Sequence, residues 1–181
     1  RDSGYYDFNV DYFRYKMDTL NNIANVEIVI NNALRRNADN TVSEVSHKKY
    51  WINKVYFLPN FDPQQTIKNR SEYFNTFDTL NYNNFGFIFS GNQNLKPNVL
   101  LRSNTVEQGA IYNNTNVNTT LTNMNELRLF RLSNANFYKE KAIDSLLNCT
   151  FFLTPSTLQN FSVNFETTNT SGNIGLGGNF N

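Results

Sequence analysis

The stretch from Asp11 to Asn37, DYFRYKMDTLNNIANVEIVINNALRRN, is the longest run in which apolar residues recur at helical spacing, and it constrains what the rest of the chain can do. At about 100° per residue, Phe13, Met17, Leu20 and Ala24 form one stripe, with Ile23, Val26, Ile30, Ala33 and Leu34 on a second beside it. So broad an apolar face predicts one long helix buried against a sheet. Asp7, Asn9 or Asp11 suits its start, Arg35 and Arg36 favour its carbonyl end, and Asn37 suits the exit. A competing reading ends the helix near Asn25 and makes Val26 to Ile30 a strand, because β-branched residues cluster there.

Beyond this segment the pattern is that of strands. The runs Tyr50 to Leu58, Asn84 to Ser90, Val99 to Arg102, Ala110 to Tyr112, Glu126 to Leu132, Thr150 to Leu153 and Asn160 to Glu166 read as strands, with Glu126 to Leu132 placed centrally. Asn60 to Asn84 reads as a long ordered loop with one helical turn, NNTNVNTTLTNMN over 113–125 as a surface loop, and Asn136 to Leu147 as a short helix. The expected fold class is α+β, a long N-terminal helix packed against an antiparallel β-sheet. It occupies residues 1–168 as one domain, followed over 169–181 by a Gly/Asn-rich tail expected to gain order only on a neighbour.

Composition narrows the partners. A net charge of +1 gives no electrostatic reason for nucleic acid to bind. The 34 asparagines, 16 phenylalanines and 10 tyrosines, with 17% charged residues, supply a core and a neutral polar surface, which is not the profile of disorder. That surface predicts self-association. No apolar run is long enough to span a bilayer as a helix, so membrane attachment is expected only through a segment absent from this chain, which begins at Arg1. Six Asn-x-Ser/Thr sequons occur where this composition produces about five by chance, so they are no evidence for glycosylation.

No catalytic chemistry is legible. His47, the single histidine, reads as a solvated loop residue that adjacency to Ser46 does not make a triad; Cys149, the single cysteine, reads as a small buried residue, since a nucleophile there would need a base that only His47 could supply; and the acids are scattered without metal-ligand spacing. No metal or cofactor is predicted. Gly175, Gly177 and Gly178 imitate part of a dinucleotide loop but no helix can follow them. The stretch HKKYWINK interleaves Lys48 and Lys49 with Tyr50 and Trp51, a pattern that can stack bases or sugars, although lysines snorkelling from an amphipathic strand produce it equally well. Arg128 and Arg131 read as interface or ion-pair residues, and Asn179 and Phe180 as interface residues of the tail.

The helix ending INNALRRN, the segment ELRLFRLSN at 126–134, and LLNCTFF leading to FSVNFETT resemble, in their order, the ectodomain of a minor type IV pilin or type II secretion minor pseudopilin. The resemblance implies a non-enzymatic structural subunit of an extracellular filament or pseudopilus, with copies of itself as partners. A virus or phage structural protein is the alternative, and a surface module binding glycan or protein the third. The localisation expected is extracellular, cell surface or virion.

Overall fold

The computed structural model describes residues 2–18, 25–91, 95–156, 163–170 and 173–180, with side chains at 2–17, 26–91 and 95–156. The long helix is absent. A 3-10 turn at Val10–Tyr12 leads into two antiparallel hairpins, β1 (Phe13–Asp18) with β2 (Asn25–Ile30), then β3 (Ala33–Arg36) with β4 (Val42–Val45). FRYKMD alternates apolar and charged side chains with period two, and Val26, Ile28, Val29 and Ile30 favour extended backbone. The strand reading of Val26 to Ile30 therefore prevails. Leu20, Ile23 and Ala24, part of the helical stripes, lie outside the described residues.

The core is a five-stranded mixed sheet, with β5 (Trp51–Leu58), β6 (Phe77–Tyr82), β7 (Phe85–Ser90), β8 (Phe130–Lys139) and β9 (Leu146–Pro155) in the order β6-β7-β5-β9-β8. The expected antiparallel sheet is corrected in its centre. There β7, β5 and β9 run parallel, flanked by β6 and β8 as antiparallel edges. Parallel neighbours need long crossovers. The first contains α1 (Pro63–Lys68), α2 (Arg70–Asn75) and β6; the second contains α3 (Pro97–Ser103), α4 (Asn114–Glu126) and β8. Apolar runs as continuous as KVYFL and CTFFL suit strands covered on both faces. On one face Phe57 stacks on Phe87 and Phe151 at centroid distances of 5.3 and 5.4 Å. Gly86 pairs with Tyr56, and a Cβ at that glycine would run into the Tyr56 ring, so the position has to remain bare.

Several further expectations are overturned for local reasons. NNTNVNTTLTNMN is mostly helix α4, because the Asn113 side chain accepts the Asn116 amide at 3.1 Å and Val117, Thr120 and Met124 bury a narrow stripe among the polar residues. Val99 to Arg102 belongs to α3, which Pro97 opens at the first helical turn. Of the expected strand ELRLFRL only Phe130 onward is strand, at the sheet edge rather than its centre, because Arg128 leaves α4 with a left-handed φ of 55°. The expected helix at Asn136 to Leu147 is divided between β8 and β9, and Ala110 to Tyr112 supplies only a bridge from Ile111 to Trp51. Asn83 and Asn84, at φ 50° and 66°, form the two-residue turn that pairs β6 with β7. Finally β10 (Val163–Thr170) pairs with β11 (Asn173–Phe180), whereas residues 160–162 of the expected last strand lie outside the described residues.

Candidate functional site

Two features of the N-terminal half could carry function: a polar cleft at its junction with the sheet, and the hairpin arm that rises beside it. The cleft, about 360 Å³, lies between the lead-in residues, the β3–β4 hairpin and the ends of β5 and β8. Tyr50 is buried at its base and donates its hydroxyl to Asp7 Oδ2 at 2.5 Å. Lys139, from the end of β8, reaches the same oxygen at 2.6 Å and sits 5.1 Å above the Tyr50 ring. Burial and the Asp7 carboxylate push the Tyr50 hydroxyl above its ordinary range. Burial works against the charge on Lys139, but its bonds to Asp7 and Tyr50 outweigh that and raise it.

On the opposite wall Lys48 contacts Asp144 at 2.5 Å, which holds that carboxyl below its usual range, and Arg35 adds a contact at 4.0 Å. Each of these cations already faces a carboxylate. The arrangement therefore ties the lead-in and the second hairpin to the sheet and offers no uncompensated charge to an anionic ligand. His47 is equally engaged: its Nε2 lies 2.9 Å from the Asn31 carbonyl, and its ring meets Tyr12 and Phe8 at 4.7 and 4.9 Å. Cys149 is buried in β9 with its thiol pushed far up by desolvation, which suits packing rather than nucleophilic attack.

The arm is rooted here. Phe8 packs on Tyr12 and Phe13, and the Asn31 amide donates to the Tyr12 carbonyl at 2.8 Å, closing the base of the β1–β2 ladder. Above the root, the register sets Phe13 opposite Ile30, Tyr15 opposite Ile28 and Met17 opposite Val26, all on one face. Arg14, Val29, Lys16 and Glu27 take the other, where Lys16 and Glu27 approach to 3.6 Å. Among the described residues this apolar face stays open to solvent: Tyr15 and Met17 are 67% exposed, Ile28 60%, and Val26 and Ile30 55%. A lone two-stranded ribbon is marginal in water, and an exposed apolar patch of this kind marks an interaction surface.

Among the residues singled out from sequence, Lys48 and Tyr50 meet in the cleft, whereas alternation along the chain sends Lys49 and Trp51 elsewhere. Lys49 lies 5.7 Å over the Tyr5 ring, and Trp51 is partly exposed on β5. With the Tyr50 ring buried, the interleaved lysines and aromatics do not present a stacking platform. Arg128 is the helix exit and Arg131 an exposed residue of the β8 edge, and the structure brings neither to the cleft. Asn179 and Phe180 fall on β11, described in backbone only. The sequence reading placed Asp7 only as a helix cap and missed Lys139 and Asp144, which no local pattern marks, and the face of the arm, which the period of two in FRYKMD did mark.

No family model and no curated protein matches the chain. Solved structures similar to it include POTRA3-5 of BamA from Haemophilus influenzae, at 11% identity and a TM-score of 0.33 over 84% of this chain and 74% of that one. Another is the N-terminal domain of Omp85 from the thermophilic cyanobacterium Thermosynechococcus elongatus, at 8% identity and a TM-score of 0.35 over 86% and 79%. Scores at this level do not establish a shared fold. The N-terminal helix on which the pilin and pseudopilin resemblance stood is instead a pair of hairpins. The filament-subunit reading is corrected accordingly, and so is its virion alternative, which leaned on that lead helix together with Asn- and Thr-rich strands and the glycine tail.

Proposed function

We propose that this chain is a non-catalytic docking domain that binds another protein through the apolar face of the β1–β2 arm. The observation that carries the reading is the row Tyr15, Met17, Val26, Ile28 and Ile30, held out on a rooted hairpin with more than half of each side chain in water. Burying such a side chain completely is worth about 1.5–3 kcal/mol. A partner that covers five of them at once gains several kcal/mol before any polar contact forms. The charged reverse face keeps the arm soluble and directs the contact to one side.

The cleft supports the same reading from the chemical side. Its cations are matched by carboxylates, and the one thiol and the one imidazole are occupied in packing and in a backbone contact. Such a site fastens the arm to the sheet. Among the described residues no helix is long and apolar enough to cross a membrane, and no cluster of three or more His, Cys, Asp or Glu is placed to hold a metal ion. The test is a double variant, Tyr15→Asp with Ile28→Asp. It should lose association with the protein's partner in its source cells while the unfolding midpoint of the five-stranded sheet stays in place. Association that survives both substitutions contradicts the proposal.

A further inference from the structure

On the opposite side of the sheet from the stacked Phe57, Phe87 and Phe151, the strands are only partly covered. There Phe61, just before α1, packs edge-on to Phe152 of β9 at 4.8 Å, and Tyr73 of α2 packs on Phe61 at 6.4 Å. Beyond them β8 is left open. Leu132, Asn134, Asn136 and Tyr138 alternate along β8 onto this face and form the floor of a groove of about 290 Å³, walled by Phe61, Phe74 and Arg70.

Three properties of this groove point to one class of occupant. Its aromatic and aliphatic surface, including Leu132 and Tyr138 at about half exposure, is the lining that takes an apolar ring. Arg70, on the groove wall, has no ion pair among the described residues, so a carboxylate seated in the groove gives it one. The Asn136 amide makes no side-chain hydrogen bond among the described residues, and no described strand lies beyond β8, so the floor ends at an open sheet edge where an extended chain fits.

We propose that this groove binds an extended peptide segment bearing an aromatic side chain and, near it, a carboxylate. The ring lies on Phe152, Phe74 and Leu132, the carboxylate meets the Arg70 guanidinium, and Asn136 holds the peptide backbone. The site is separate from the β1–β2 arm and does not depend on the docking proposed for it.

The experiment uses the full chain and the pentapeptide acetyl-Asp-Ser-Phe-Ser-Asp-amide, which offers a carboxylate two residues to either side of the ring and therefore on the same face of an extended backbone. Amide and side-chain NMR shifts are followed on titration to millimolar peptide. Saturable shifts should appear along 132–138 and at Arg70 and Phe74, with the β1–β2 arm unmoved. Replacing the peptide's Phe by Ser should abolish them, replacing both Asp by Asn should weaken binding, and Arg70→Gln, an exposed change, should weaken it about tenfold or more. Absent shifts at millimolar peptide, equal binding of the Ser peptide, or an Arg70→Gln protein that binds as tightly as the original each overturns the proposal. Failure of the arm to dock a partner leaves all of these readouts intact.

Discussion

Tyr15 and Ile28 stand directly opposite each other in the β1–β2 ladder, and both side chains remain more than half in water. A cross-strand aromatic and β-branched pair stabilises a ribbon by about 0.2–1 kcal/mol, too little to explain why five large apolar groups share one uncovered face. The proposed docking accounts for it, with the root at Phe8, Tyr12 and His47 holding the base of the hairpin.

The root should be separable from the face. His47→Ala removes the Nε2 contact to the Asn31 carbonyl and two ring contacts, so hydrogen exchange of the β1–β2 amides should speed up while β5 and β9 stay protected. Unchanged arm protection in this variant would show that His47 does not hold the hairpin.

In the sheet, Phe57 lies between Phe87 and Phe151 and is wholly buried. Phe57→Ala should cost about 3–5 kcal/mol in denaturant unfolding. A loss below about 1 kcal/mol, the scale of a surface change, would place the core elsewhere.

Arg128 pays for the exit of α4 with a left-handed backbone at φ 55°. A side chain in that region costs about 1–2 kcal/mol, so Arg128→Gly should raise stability by up to about 1 kcal/mol after the extra freedom of glycine in the unfolded chain is subtracted. Arg128→Val should lower it. If both variants melt alike, the turn is not strained as described.

The Asp7, Tyr50 and Lys139 cluster predicts a loss of stability in alkali. Tyr50 and Lys139 are both raised in the folded chain, so their contribution is complete below the ordinary tyrosine value of 10.0 and is lost as pH climbs through the raised values. Tyr50→Phe should cost about 1 kcal/mol near neutrality through the missing bond to Asp7, and should flatten the decline above pH 10. An alkaline limb as steep in the variant as in the original would remove Tyr50 from this account.

How much of this was legible in the sequence follows from where the information resides. Strands β5 and β7, and β9 over Thr150 to Leu153, were readable because dense apolar and β-branched runs ended by proline, glycine or polar residues identify them without reference to neighbours, whereas the start of β9 fell in the expected helix. Residues 13–30 satisfied periods of 3.6 and of 2 in different subsets of the same side chains, and only the partner strand decides between them. Helix α4 escaped notice because its buried stripe is as narrow as Val117, Thr120 and Met124, with a threonine hydroxyl in the middle that is satisfied by the Thr105 amide at 3.0 Å. The cleft was half legible: Lys48 and Tyr50 stand within one motif, but Asp7 reaches Tyr50 across 43 residues and Asp144 reaches Lys48 across 96, with Lys139 between, and only the folded sheet brings them there.

The most direct test of the docking surface compares the two faces of the arm. A photoreactive benzophenone side chain is placed singly at Tyr15 or Ile28 on the apolar face and at Lys16 or Glu27 on the charged face, and the full chain is irradiated in its source cells. The account predicts one discrete protein adduct from positions 15 and 28 and none from 16 and 27. Adducts of equal yield from both faces, adducts to lipid alone, or no adduct from either face would contradict it.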